Sequence, residues 1–300
     1  MDNKEVLDFV IPICNYNIII RVTLESIIIN YTPRNIYIVI NKNDADILEK
    51  ECLQWNFSTT KLIFINEDEY FINNYGLTKK NINQWYTWKD NQSREFGWWY
   101  QQLIKIGSYK QINNLSDPYV VWDSDLIVLQ KWNLYDKEND IYKFAILQEH
   151  AKNEFNRNEY FNSIKEIIGI PPIEPATEGT FVPHHFIMHH KVLNNLVQHI
   201  EKKNQYNWIK TIMLLSNTYY RFSEYKCITT FMSVYYPELL SFYPFHEYGK
   251  KGIRYRESST IIKEIKDFCK ENKLTYEIFK SFIRNTFDEK YTYIQLEHVK

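Results

Sequence analysis

Tyr119-Val120-Val121-Trp122-Asp123-Ser124-Asp125-Leu126-Ile127-Val128-Leu129 is the stretch on which the reading of the chain turns. Behind Pro118, four apolar or aromatic residues have the pattern of a buried strand. Two carboxylates one residue apart stand where that strand should end, and the apolar run then resumes. Desolvating carboxylates between apolar runs is costly unless a cation or strong donors compensate. A divalent metal is the natural compensator. Asp123 and Asp125, with Ser124 between them, offer hard oxygens that suit Mg²⁺ or Mn²⁺ and leave coordination positions for a diphosphate. The expected substrate class is therefore nucleotide-activated.

Working outward to the N-terminal side, residues 6–13 form an apolar run broken by Asp8 and closed by Pro12, a first strand whose carboxyl end opens at 12–17. Residues 18–30 carry Ile19, Val22, Ser26 and Ile29 on one face, which predicts a helix. A turn at 32–35, a strand at 36–40, an amphipathic helix at 44–55 and a strand at 61–65 follow, the last ending in Asn66-Glu67-Asp68-Glu69. Such alternation predicts an α/β fold, a mostly parallel sheet flanked by helices, with ligands bound outside the carboxyl ends of the strands. Residues 70–90 read as loop plus one short helix. In the next helix Arg94, Trp98, Gln101 and Lys105 recur at i, i+4, i+7 and i+11, beside an apolar flank of Phe96, Trp99, Leu103 and Ile106. A solvated face with one indole and a ligand-facing stripe both fit the first set.

On the C-terminal side, 144–148 reads as a strand and 153–168 as a helix. Pro171-Pro172-Ile173-Glu174-Pro175 then marks a loop over the site or an acceptor-side lobe. Within residues 181–190, His184, His185, His189 and His190 allow three readings: a helical zinc site, structural histidines, or a strand presenting a substrate-facing His184-His185 pair. A helix is expected over 191–203. Ser223 either caps a helix over 224–234, with Glu224 in its first turn, or Glu224 points into the cleft as a base or hydroxyl-orienting carboxylate. His246, in a late loop, is a candidate metal or phosphate contact. Residues 260–271 and 275–285 read as short amphipathic helices without visible chemistry, so the expected division is a main domain over 1–257 and a small helical appendage over 258–300.

Three hundred residues with 44% hydrophobic content can build a sizeable core. A formal charge of −1 lacks the footprint of a general nucleic-acid binder. The richest apolar windows fall well short of about 20 residues, so no membrane span is expected, and no secretory signal opens the sequence. Cys14, Cys52, Cys227 and Cys269 are scattered and read as reduced thiols, which suits a cytoplasmic location. Few glycines and an excess of Asn, Ile, Lys and Tyr point to an AT-rich coding genome, such as a viral or parasitic one.

Taken in order, the N-terminal alternation, Gly97-Trp98-Trp99-Tyr100-Gln101-Gln102, the acid strand, His184-His185 and Phe222-Ser223-Glu224-Tyr225 resemble the GT-A glycosyltransferases. The likeness is strongest to the DUF6492-type group of bacteria and large DNA viruses, over residues 5–250. That resemblance implies a GT-A-like fold, a nucleotide-diphosphate sugar donor, usually UDP-linked, and Mn²⁺ or Mg²⁺. It also implies transfer of a hexose or deoxyhexose to a glycan, glycoprotein or other hydroxyl acceptor. Asp125 would be the principal metal ligand, with Asp123 meeting the ribose, or the metal through water. Ile11, Pro12, Ile13 and Asp68 would line the base, while Arg94, Trp98, Gln101 and Gln102 would face the sugar or diphosphate. His184, His185 and Glu224 would stand on the sugar or acceptor side, Glu224 sharing the chemistry with Asp125. The family's third metal ligand has no unambiguous counterpart in this sequence. Three rivals stand beside this expectation. A sugar-phosphate nucleotidyltransferase normally carries a Gly-rich loop after its first strand, and 14–17 has no glycine. A haloacid-dehalogenase-type phosphatase carries its acid pair on the first strand. A catalytically inactive carbohydrate-binding protein would suit the 17% aromatic content.

Overall fold

The computed structural model describes residues 6–52, 60–86, 96–149, 154–176, 178–219, 222–256, 260–271, 276–287 and 289–297. The chain opens with β1 (Phe9–Pro12), α1 (Ile20–Tyr31), β2 (Asn35–Ile40), α2 (Lys42–Cys52) and β3 (Lys61–Asn66), the expected alternation. Two short helices, α3 (Ile72–Tyr75) and α4 (Lys79–Asn83), stand where one was expected, the second started by a reciprocal Thr78–Asn81 cap. Next come α5 (Phe96–Gln111), β4 (Tyr119–Trp122), β5 (Leu126–Val128), β6 (Tyr135–Asp136) and β7 (Ile141–Ala145). Then follow α6 (Glu154–Ile168), β8 (His185–Met188), α7 (His190–Asn204), α8 (Trp208–Tyr219) and α9 (Glu224–Tyr235). The last elements are β9 (Ser241–Tyr243), β10 (Gly252–Arg256), α10 (Thr260–Glu271), α11 (Tyr276–Thr286) and β11 (Tyr293–Glu297).

The central sheet has the order β3-β2-β1-β4-β8. Its first four strands are parallel and β8 runs antiparallel to β4. Every residue of β1, β4 and β8 is buried, as expected of strands covered on both faces. The one polar break in the first apolar run, Asp8, is fully buried at the amino end of this sheet. There it accepts from Arg34 Nε at 2.9 Å, Asn35 Nδ2 at 3.0 Å and the Ser116 backbone N–H at 2.9 Å. The amino ends of β1, β2 and β4 are tied to one carboxylate, which is how the buried charge is compensated.

Helix α1 is buried on two sides. Ile20, Leu24 and Ile27 join the central core, while Ile19 and Val22 join a second core with Ile127 of β5, Ile262 and Ile265 of α10 and Ile294 of β11. Residues beyond 258 are helical where expected, but they end in a strand that sequence periodicity did not reveal. β11 lies between β10 and β5, parallel to the first and antiparallel to the second, in a sheet of its own. Among the described residues no helix is long and apolar enough to cross a membrane.

Behind β4 an aromatic slab fills the core. Trp122 stacks on Trp132 with ring centroids 5.6 Å apart and planes at 17°, and the His185 ring lies 4.3 Å from Trp132. His185 is 1% exposed. Its Nδ1 is 2.8 Å from the Pro183 carbonyl, which can only accept, so Nδ1 carries the proton of a neutral ring. Burial pushes its pKa down to about 3. Between about pH 6.5 and pH 3 the unfolded chain therefore binds a proton at this site that the folded chain does not, and this histidine makes stability fall as pH falls, by up to about 1.4 kcal/mol per pH unit. His185→Phe should flatten that part of the profile. Urea midpoints at pH 7 and pH 5 check it, with the wild type losing more stability across the interval than the variant.

Candidate metal and donor site

Parallel pairing of β1 with β4, Phe9 opposite Val120, brings the carboxyl ends of both strands to one edge of the sheet. There Asp123-Ser124-Asp125 carries the chain from β4 in the central sheet to β5 in the second one. Because β8 is antiparallel, its amino end meets that same edge. Trp122 pairs with His185, and the Asp123 N–H donates to the His184 carbonyl at 2.8 Å. His184 adopts φ +60°, a left-handed conformation that costs an L-residue about 1–2 kcal/mol. Strand alternation then divides the two histidines. His184 turns to the acids and His185 to the aromatic core.

The candidate ligand atoms of Asp123, Asp125 and His184 all lie within 4.8 Å of one another. His184 Nδ1 is 3.0 Å from Asp123 Oδ2 and 4.0 Å from Asp125 Oδ1. Asp125 is 38% exposed in its side chain, yet its Oδ1 is buried with no hydrogen-bond partner among the described residues. A buried carboxylate oxygen left without a donor is costly, and a hard cation fits it. The three side chains supply two carboxylates and an imidazole, a donor set suited to Mn²⁺ or Mg²⁺.

Asp123 is held from the other side. Lys105, from α5, ion-pairs with its Oδ1 and with Glu224 Oε1 at 2.6 Å, and the Tyr225 hydroxyl donates to Asp123 Oδ1 at 2.9 Å. The ammonium also sits 4.6 Å from the Tyr225 ring centroid. Burial opposes a charged Lys105, but Asp123 and Glu224 override it and hold its pKa above that of an ordinary lysine. Burial would likewise raise Asp123, yet Lys105 and His184 pull it well below the usual carboxylate range. Burial raises Glu224, with Asp123 adding to it against Lys105, and burial of the Oδ1 edge raises Asp125 against the pull of His184. His184 is raised, its contacts with Asp123 and Asp125 outweighing burial. Among the described residues, the carboxylates of Asp123, Asp125 and Glu224 are faced by the ammonium of Lys105 and the imidazole of His184.

Glu224 is 3% exposed at the start of α9, where the Ser223 hydroxyl accepts from the Lys226 N–H at 3.3 Å. The cap and the buried carboxylate thus belong to one turn. Gln102, 3% exposed, accepts from the Glu224 N–H at 3.1 Å, tying α5 to α9. Trp98 and Gln101 are half-buried near the amino end of α5. That end packs close to the loop after β1: a Cβ at Gly97 would come 3.0 Å from Cys14 Sγ. Ile11, Pro12 and Ile13 are buried at the carboxyl end of β1, and Asp68 is exposed just past β3, its N–H bonded to Asn66 Oδ1. The Ser124 carbonyl accepts from Thr23 Oγ1 at 2.9 Å. His246 is exposed beside Phe245, outside the acid group, and His184 stands where a third ligand was sought. Arg94 lies outside the described residues. Nothing in the sequence pattern assigns a site role to Tyr225 or Gln295. Tyr225 sits in a quoted motif, whereas Gln295, whose amide nitrogen is 2.9 Å from His184 Nε2, comes from the strand that was not foreseen.

Residues 6–252 match a family model described as "Family of unknown function (DUF6492)". No curated protein matches the chain. Solved structures similar to it include mouse xyloside xylosyltransferase 1 in its apo form, at 11% identity and TM-score 0.49, covering 97% of this chain and 98% of that one. The apo glycosyltransferase GlyE of Streptococcus pneumoniae TIGR4 is similar at 9% identity and TM-score 0.40, over 97% of this chain and 54% of its own. An inositol-1-phosphate CTP transferase from T. maritima is similar at 8% identity and TM-score 0.41, over 90% and 99%.

Lys105→Met should leave Asp123 and Glu224 buried without their cation and cost about 3–5 kcal/mol. Adding Glu224→Gln should recover part of that loss, because the two residues act as a pair. Denaturant midpoints of both single variants and the double variant check it, with a double-variant loss smaller than the sum expected.

Proposed function

The chain belongs to the DUF6492 family, and we propose that it is a metal-dependent glycosyltransferase. It moves a hexose or deoxyhexose from a nucleotide-diphosphate sugar, UDP-linked, to a hydroxyl of a glycan or glycoprotein. One observation carries this reading: Asp123, Asp125 and His184 converge at the carboxyl edge of the parallel sheet, with one buried carboxylate oxygen that has no hydrogen-bond donor among the described residues. Ligands of open α/β sheets bind at that edge.

In this reading Asp125 and His184 hold Mn²⁺ or Mg²⁺. Asp123 is pinned by Lys105 and Tyr225 and reaches the ribose, or the ion through water, with what its remaining oxygen allows. When bound, the cation supplies Lewis-acid screening of the leaving diphosphate. Ile11, Pro12, Ile13 and Asp68 take the nucleoside, and Trp98 and Gln101 reach the sugar from α5. Glu224 acts through Lys105, fixing an ammonium beside the acids where its field is preorganised. A free base at Glu224 would require Lys105 to release the carboxylate, so the orienting role suits the geometry better. Residues 1–257 form the catalytic unit, and 258–300 an appendage whose strand β11 pairs with β10 and β5 of that unit.

The test is a thermal-shift and hydrolysis screen of UDP-, GDP- and TDP-sugars with and without Mn²⁺, since a ligand that binds only the folded chain raises its stability, by about 2.7 kcal/mol at a hundredfold excess over Kd. Asp125→Asn should abolish Mn²⁺-dependent donor turnover and the Mn²⁺-dependent shift while keeping the wild-type melting temperature in EDTA. Wild-type turnover by that variant would end the assignment. Pyrophosphate release from a nucleoside triphosphate and a sugar phosphate would mark a nucleotidyltransferase instead.

A further inference from the structure

β11 brings one polar side chain into contact with the acid group. Gln295 is 5% exposed and pairs with Leu126, directly after the acid pair, while the neighbouring Leu296 N–H donates to the Asp125 carbonyl at 2.8 Å. Hydrogen-bonded pairing on both sides, to β10 and to β5, fixes the strand in place. The amide of Gln295 lies 2.9 Å from His184 Nε2, while His184 Nδ1 faces Asp123 and Asp125.

We infer that Gln295 is a positioning residue that sets which ring nitrogen of His184 is free to ligate a divalent cation; this rests on the metal reading above. A neutral imidazole carries one proton, and the nitrogen without it is the ligand. With the Gln295 amide nitrogen toward the ring, as in this structure, Nε2 accepts and Nδ1 carries the proton toward Asp123. Ligation through Nδ1 needs that nitrogen bare. The single ring proton then resides on Nε2, lost from Nδ1 and gained at Nε2 with no change in charge, and Gln295 must present its Oε1 as acceptor. A carboxamide meets both demands by a half-turn of its terminal torsion. Partners that fix the tautomer of a ligating histidine commonly govern metal affinity by 10–100-fold.

The inference separates two substitutions of similar size. Gln295→Glu can only accept and should favour a protonated Nε2. Gln295→Met can do neither and should leave the proton on Nδ1. Nitrogen-15 NMR of the His184 ring in the metal-free full chain, at a pH high enough for the ring to be neutral, reads Nε2 protonation directly, and calorimetric titration with Mn²⁺ alone reads affinity. Expected are a protonated Nε2 and tighter Mn²⁺ binding in Gln295→Glu, with an unprotonated Nε2 and roughly tenfold weaker binding in Gln295→Met. Equal Nε2 protonation in all three proteins, or equal weakening by both variants, would overturn the inference as a merely structural role. Wild type that takes no Mn²⁺ overturns the metal reading instead, and the NMR comparison still decides whether Gln295 sets the tautomer. Melting temperatures confirm that the variants fold.

Discussion

One buried ammonium holds the site together. Lys105 stands between Asp123 and Glu224, two carboxylates from segments far apart in sequence, with its own side chain 5% exposed. A buried pair of this kind adds little net stability over an apolar replacement, but removing one partner is severe. Its use is positional. It fixes the orientation of Asp123 and ties α9 to the end of β4, so that the acid pair meets solvent with Asp125 rather than with both side chains.

The strand directions do the rest. Four parallel strands open their carboxyl ends at one edge, and the single antiparallel neighbour returns His184 to that edge at its own start. The left-handed backbone at His184 is the local strain that this arrangement carries, and strain of that sort collects where side-chain direction matters. A second sheet begins at Leu126, within one residue of the acids, so the last strand of the chain is drawn up against the same group. Asp123 and Gln295, 172 positions apart in sequence, thereby share one small polar cluster.

Much of this was legible beforehand. The first three strands and two helices, the helix after Arg94, the strand before the acid pair and the Ser223 cap all follow from period and punctuation. What could not be read was pairing at long range. Lys105 appeared as the last residue of a polar stripe, but nothing local says that its partner is Glu224, 119 residues on. The His-His pair leaves a zinc site, structural histidines and a substrate-facing pair open in sequence; strand alternation and a positive φ at the first of them part the two, and one histidine is core. His246 is a candidate metal or phosphate contact by its place in a late loop, whereas strand pairing brings His184 to the acids. β11 was missed because five residues of alternating character carry little signal until both neighbouring strands are known.

The most direct measurement is anomalous diffraction at the manganese edge from crystals soaked with Mn²⁺ and UDP. A peak within coordination distance of Asp125 and of His184 Nδ1, with the diphosphate on its open side, is the expected result. A peak bound elsewhere, or Asp125 and His184 left without one while the nucleotide is bound, would contradict the assignment of this cluster as the metal centre.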